Sequence, residues 1–151
     1  MQHALQISRK IEYGLRAMMF LAALGPGDTA PMQEIARRME IPQDFLAKIL
    51  KTLLAKKLVK STRGARGGYA LARLPREISF LDVIEAVEGP VIVNVCQDQH
   101  EACKVSRACT MYSVWRLGQQ KMLEVYRAVT LEQLAMKDLK PDVHPLPAVL
   151  G

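Results

Sequence analysis

The chain has 151 residues, half of them hydrophobic, 24% charged, and a formal net charge of +6. This is too apolar for a disordered chain and long enough for one domain, or a small domain with an appended element. No window offers the roughly 18 uninterrupted apolar residues of a membrane span, and three cysteines, an odd number, do not close a disulfide framework.

The charge is uneven. Residues 1–76 carry 14 Lys and Arg against 5 acids, or +9, whereas residues 77–151 carry 7 bases against 10 acids, or −3. A basic front half on a mildly acidic body fits a polyanion-binding head; a solvated lysine-rich surface is the plainer alternative. The start Met1-Gln-His-Ala lacks the basic residues of a signal peptide, so a reducing cytoplasm is expected. There, clustered cysteines more often bind metal or react than form bridges.

In chain order, Ser8 caps a first helix in which Ile11, Leu15, Met18, Met19 and Ala22 recur at helical spacing. GPGDTAP (25–31) ends it. A short helix over MQEIARRME (32–40) and a tight connection at Glu40-Ile41 lead to a third helix opened by Pro42. That helix turns Phe45, Leu46, Ile49, Leu50, Leu53 and Leu54 inward and Gln43, Asp44, Lys48 and Lys51 outward, a helix-turn-helix pattern. LVKSTRGARGGYALAR (58–73) then reads as a β-hairpin with a basic, glycine-rich tip, which completes a winged helix. Glycines let backbone approach phosphate, and Arg63 and Arg66 on a slim loop reach a groove. An ordinary turn needing positive φ explains the glycines equally well, but not the arginines.

ISFLDVIEAVEGP (78–90) gives another helix, capped by Ser79 and Asp82 and stopped at Gly89-Pro90. VIVNV (91–95) is expected as a short apolar strand or extended run. It leads into CQDQHEACKVSRAC (96–109), which holds every cysteine of the chain. From Thr110 a long helix places Met111, Val114, Trp115, Leu117, Met122, Val125 and Val129 on a stripe broad enough to pair with a second copy. Thr130-Leu-Glu-Gln133 caps a final turn, and the proline-rich end is expected to be mobile.

IEYGLRAMMFLA, EIARRMEIPQDFLAKIL, LVKSTRGARGGYALAR, DVIEAVEGP, three cysteines, Trp115 and TLEQL follow one another in fixed order. Over about residues 7 to 134 this resembles the Rrf-two family of winged-helix transcriptional regulators, with its IscR-, NsrR-, RirA- and CymR-like branches. The resemblance implies a cytoplasmic homodimer, mostly α with a small β wing, that binds an operator in double-stranded DNA as a repressor. It also implies an iron–sulfur cluster on three cysteines in a subset of members, 2Fe–2S before 4Fe–4S. The fourth ligand differs between branches. In one it is a histidine three residues after the third cysteine, where this chain has Tyr112. In another it is an acid from the first helix of the other subunit, where this chain has Glu12.

The expected organisation is a DNA-binding region over 1–76, a connecting helix and cysteine loop over 77–109, a dimerisation helix over 110–134 and a mobile tail over 135–151. Cys96, Cys103 and Cys109 are the expected ligands, with Glu12 as fourth and His100 next. Alternatives are a Cys3His zinc site, a thiol switch, uninvolved thiols, or control by a sulfur-metabolism protein partner. DNA contacts are expected from Gln43, Asp44, Phe45, Ala47, Lys48 and Lys51 of the third helix and from Arg63, Arg66, Gly67 and Tyr69 of the wing. No nucleophile motif or paired acids support an enzyme, and RGARGG lies between strands, wrong for a phosphate-binding loop.

Overall fold

The computed structural model describes residues 6–94, 96, 103–105 and 108–135. The Ser8 hydroxyl accepts from the Ile11 amide at 3.2 Å and opens α1, Arg9–Ala22. Such a bond satisfies one of the helix's unpaired first-turn donors. α2 spans Met32–Met39 and α3 spans Gln43–Ala55. Between them Glu40 takes a left-handed φ of 52°, and the Ile41 amide bonds back to the Ala36 carbonyl at 2.9 Å. This closes the turn and drops Ile41 into the core.

The wing is antiparallel. β1, Val59–Thr62, pairs with β2, Gly68–Leu71, in a register running from Val59 opposite Leu71 to Thr62 opposite Gly68. Ala30, just before α2, exchanges two backbone bonds with Tyr69, of 3.0 and 2.8 Å, and so adds one bridge to β2. A 3-10 turn over Pro75–Glu77 leads to α4, Phe80–Glu88, which starts with a reciprocal capping box between Ser79 and Asp82. Gly89, with φ of 93°, ends it.

Residues 91–94 form no strand, so of the two readings of 91–95 the strand is excluded there, and residues 93 and 94 bend. Among the described residues they have no strand partner; the Val93 amide is satisfied instead by the Gln119 side chain at 2.9 Å. α5 spans Met111–Ala128 and α6 spans Leu131–Leu134, opened by a capping box between Thr130 and Gln133. Backbone bonds from Phe80 to the Val129 carbonyl and from Leu131 to the Ile78 carbonyl tie this end to the start of α4. Leu131 is fully buried there. Except for Ala135, the tail expected over 135–151 lies outside the described residues.

The core is built around α1. Ala17 and Met18 have no exposed surface and share one cluster with Ile35, Leu46, Ile49, Leu50, Leu53, Ile78 and Val83. Gly14 lets α4 approach closely: a Cβ there would lie 2.8 Å from a Val87 methyl. α5 differs from the rest, having no buried residue among its 18. Its central Gly118 has ordinary helical backbone, where glycine costs about 1 kcal/mol relative to alanine. No helix of the described residues is long and apolar enough to cross a membrane.

Leu50→Ala should lower unfolding free energy by about 2–5 kcal/mol in a urea titration, because it removes a fully buried side chain and leaves a cavity. Exposed Lys51→Ala should stay within about 0.5 kcal/mol of the parent.

Candidate nucleic-acid interface and cysteine loop

α3 is held by Leu46, Ile49, Leu50 and Leu53, all buried, which fixes what its other face presents. Gln43, Asp44, Lys48 and Lys51 are exposed on that face, as is Ala47. Phe45 does not turn inward as its apolar character suggested: it is 53% exposed. It sits on the first turn of α3, where it meets the edge of the Tyr13 ring, with centroids 6.2 Å apart. This leaves an aromatic ring among the polar side chains at the start of the helix, suited to apolar contact with a thymine methyl.

The wing tip is pinned from behind. The Thr29 hydroxyl donates to the Arg66 carbonyl at 2.8 Å, beside the Ala30–Tyr69 bridge. The glycines of the tip have reasons within the chain itself. Gly64 and Gly68 have φ of 112° and 155°, and a Cβ on Gly67 would lie 2.5 Å from the Thr62 carbonyl oxygen. One on Gly68 would strike the Ala30 backbone at the same distance. Arg63 and Arg66 have no such explanation. Both are exposed, and the ion pairs of the described residues, Arg16–Glu12 and Lys121–Glu124, involve neither. Gly67 and Tyr69 are half-buried, Tyr69 being fixed by its bonds to Ala30.

The cysteines lie on the connection between α4 and α5. Cys96, Cys103 and Cys109 form no disulfide among the described residues, and each is half-buried. As donors they suit a soft metal or cluster, but the described residues bring no three of His, Cys, Asp and Glu together as a metal site. The thiols therefore share a loop without being gathered at one point. His100 lies outside the described residues. Glu12 is described: it stands on the first turn of α1 and pairs with Arg16 one turn on. Arg16 also donates to the Met39 carbonyl at 3.3 Å and lies over the Tyr13 ring at 5.9 Å. The expected acid is thus linked through one guanidinium to the end of α2. Sequence reasoning singled out Glu12 but passed over Arg16, although the i, i+4 spacing of acid and base was available to find it.

Four likenesses to known proteins bear on this architecture. Residues 7–137 match the family model described as Rrf2, iron-dependent transcriptional regulator. A Mycobacterium tuberculosis protein named for an HTH-type transcriptional regulator is 34% identical over 131 residues, covering 87% of this chain and 81% of its own length. The structure of CymR, the global cysteine regulator of B. subtilis, superposes with a TM-score of 0.72 at 32% identity, covering 89% of this chain and 98% of CymR. That of T. potens IscR gives 0.70 at 30% identity, covering 93% of this chain and 94% of IscR. A mostly helical chain with a two-stranded wing, matched over nearly its whole length, belongs to the Rrf2 family of DNA-binding transcriptional regulators, which are not enzymes.

Proposed function

We propose that this regulator works as a homodimeric repressor whose hold on an operator is set by an iron–sulfur cluster on Cys96, Cys103 and Cys109. Residues 1–76 form the DNA-binding head, residues 77–109 carry the sensing loop and residues 110–134 pair two copies. The observation that carries the DNA part is the conjunction of a bare, polar α3 face with an exposed arginine-tipped wing, both anchored on one core. Gln43, Asp44, Phe45 and Ala47 meet base edges at the start of α3, while Lys48 and Lys51 meet phosphates. Arg63 and Arg66, with Gly67 and Tyr69, follow the adjacent backbone and groove.

Pairing through α5 is supported by its exposed apolar side chains: Met111 is 61% exposed, Val114 69% and Leu117 56%. A surface of this kind is covered in a stable regulator. Duplex operators with paired half-sites call for two heads.

For the sensor, three cysteines on one loop, outside any disulfide, are the support, together with IscR as a structural relative. A cluster there supplies a soft centre that oxidants, nitric oxide or iron shortage remove. The 2Fe–2S form is favoured, with Glu12 of the other copy as fourth ligand and His100 next. The chain's own part is to keep the thiols accessible and Glu12 oriented, which Arg16 does through their ion pair. A second reading is favoured by the thiols not being gathered at one point: a thiol switch, or control through a sulfur-metabolism protein, as the CymR likeness would suit. Zinc on Cys3His is the remaining metal option.

An Arg63→Ala/Arg66→Ala variant should bind operator and random duplex more weakly alike. The slope of log K against log salt should fall by roughly one for each phosphate no longer neutralised, read by fluorescence anisotropy. Binding equal to the parent's removes the wing from the interface. Anaerobic purification should give a coloured protein containing iron and sulfide. Glu12→Ala should bleach faster in air with an unchanged circular dichroism spectrum. A colourless, zinc-loaded protein rejects the cluster, and a variant that keeps its colour as long as the parent rejects Glu12 as ligand.

A further inference from the structure

A hollow of about 610 Å³ opens beside the wing, and no residue assigned above to DNA or to the cysteine loop lines it. That volume falls within the range of small-molecule sites, about 300–1,000 Å³. Its apolar lining comes from the end of α1, through Leu21 and Leu24, and from the end of the hairpin, through Leu71 and Leu74. Leu74 is 48% exposed, a large aliphatic side chain left half open. The outer face of the wing contributes room rather than bulk: Lys60 stands opposite Ala70 in the strand register, and the alanine leaves space beside the lysine stem.

Charges surround this apolar surface in equal number. Lys60 and Arg73 supply two cations, Asp28 and Glu77 two carboxylates. The ion pairs of the described residues, Arg16–Glu12 and Lys121–Glu124, use none of the four. Three of them are nonetheless held in place. Arg73 donates to the Glu77 carbonyl at 2.7 Å, and the Glu77 carboxylate accepts from the Leu74 amide at 3.3 Å. The Asp28 amide closes its turn on the Gly25 carbonyl at 3.0 Å, and the Asp28 carboxylate rests where a Cβ on Gly25 would come within 2.7 Å of it. Each side-chain bond uses one donor of the guanidinium or one acceptor site of the carboxylate and leaves the others for a ligand. An anion alone would meet two carboxylates here, and a cation alone would meet two basic groups. A zwitterion with an apolar body complements all of this surface.

We propose that this hollow binds a free α-amino acid with an apolar side chain, its carboxylate between Lys60 and Arg73, its ammonium towards Asp28 and Glu77, and its side chain on the leucines. The inference goes beyond the operator and the cluster and rests on neither. The site adjoins the wing: Thr29, whose hydroxyl holds the Arg66 carbonyl at 2.8 Å, is on its wall. A ligand that bridges Asp28 and Lys60 ties the turn before α2 to β1, and so restrains the hairpin that carries Arg63 and Arg66.

The test is isothermal titration calorimetry of the full chain with L-leucine and with L-phenylalanine. One molecule of either should bind per chain, with a dissociation constant below about 1 mM. Leucinamide, which lacks the carboxylate, and N-acetyl-L-leucine, which lacks the ammonium, should each bind at least about tenfold more weakly. Lys60→Met should weaken leucine binding about tenfold without further weakening leucinamide. Asp28→Asn should do the same to leucine without further weakening N-acetyl-L-leucine. Both side chains are exposed, so circular dichroism and melting temperature should match the parent. Lys121→Met, on α5, should bind leucine like the parent. In hydrogen–deuterium exchange, leucine should slow the amides of β1 and β2 and leave those of α5 unchanged. No heat of binding with either amino acid at about 10 mM overturns the proposal. Leucinamide and N-acetyl-L-leucine binding as tightly as leucine overturns it as well. Leucine binding that neither Lys60→Met nor Asp28→Asn weakens, or that leaves exchange in the wing unchanged, puts the ligand elsewhere and overturns it too.

Discussion

The burial of α1 is the constraint on which the other parts depend. Ala17 and Met18 are sealed on every side, and α2, α3 and α4 all lean on this one helix. Small residues at Gly14 and Ala17 bring the neighbours close, so α4 is seated against α1 at the separation a missing Cβ allows. Because α3 is locked through Leu46, Ile49, Leu50 and Leu53, its polar face has one fixed direction. A reading helix that could roll would present different side chains to a groove; this one cannot without opening the core.

The wing is coupled to the same core by less obvious means. Two strands of four residues are marginal by themselves. Here the Ala30–Tyr69 bridge and the Thr29 bond to Arg66 tie the hairpin to the chain entering α2. Gly68 is required where the two backbones meet, and Gly64 and Gly67 where the turn tightens. The tip is thereby held in its backbone while its two arginine side chains stand exposed, the arrangement that suits a contact with phosphate.

On the opposite side, α5 and its C-terminal cap are joined to the body through Gln119 to Val93, Tyr126 against the Phe80 ring, and Val129 to Phe80. The apolar stripe around Gly118 stays open between these ties. The cysteines sit on the connection between α4 and this helix. Arg16, paired with Glu12 near the start of α1, also bonds to the end of α2 at the Met39 carbonyl.

Local patterning alone was enough for most of the helices. Helical spacing in α1 and α3, the Ser8 and Ser79 caps, the glycine-proline punctuation and the hairpin were legible because each depends on residues close in sequence. The concentration of cysteines and the basic front half were legible for the same reason. Three features were not. Phe45 looked like core because it is apolar, but its exposure depends on how far α1 reaches across α3. The run 91–95 looked like a strand because it is apolar and β-branched, but a strand needs a partner edge, and residues 91–94 have none among the described residues. The isolation of Gly118 is invisible in a string of letters, since the absence of neighbours is a property of space. Sequence by itself determined which segments coil and where they stop, through capping, periodicity and turn residues. Only the tertiary structure decided which faces are covered, because burial depends on contacts between residues far apart along the chain.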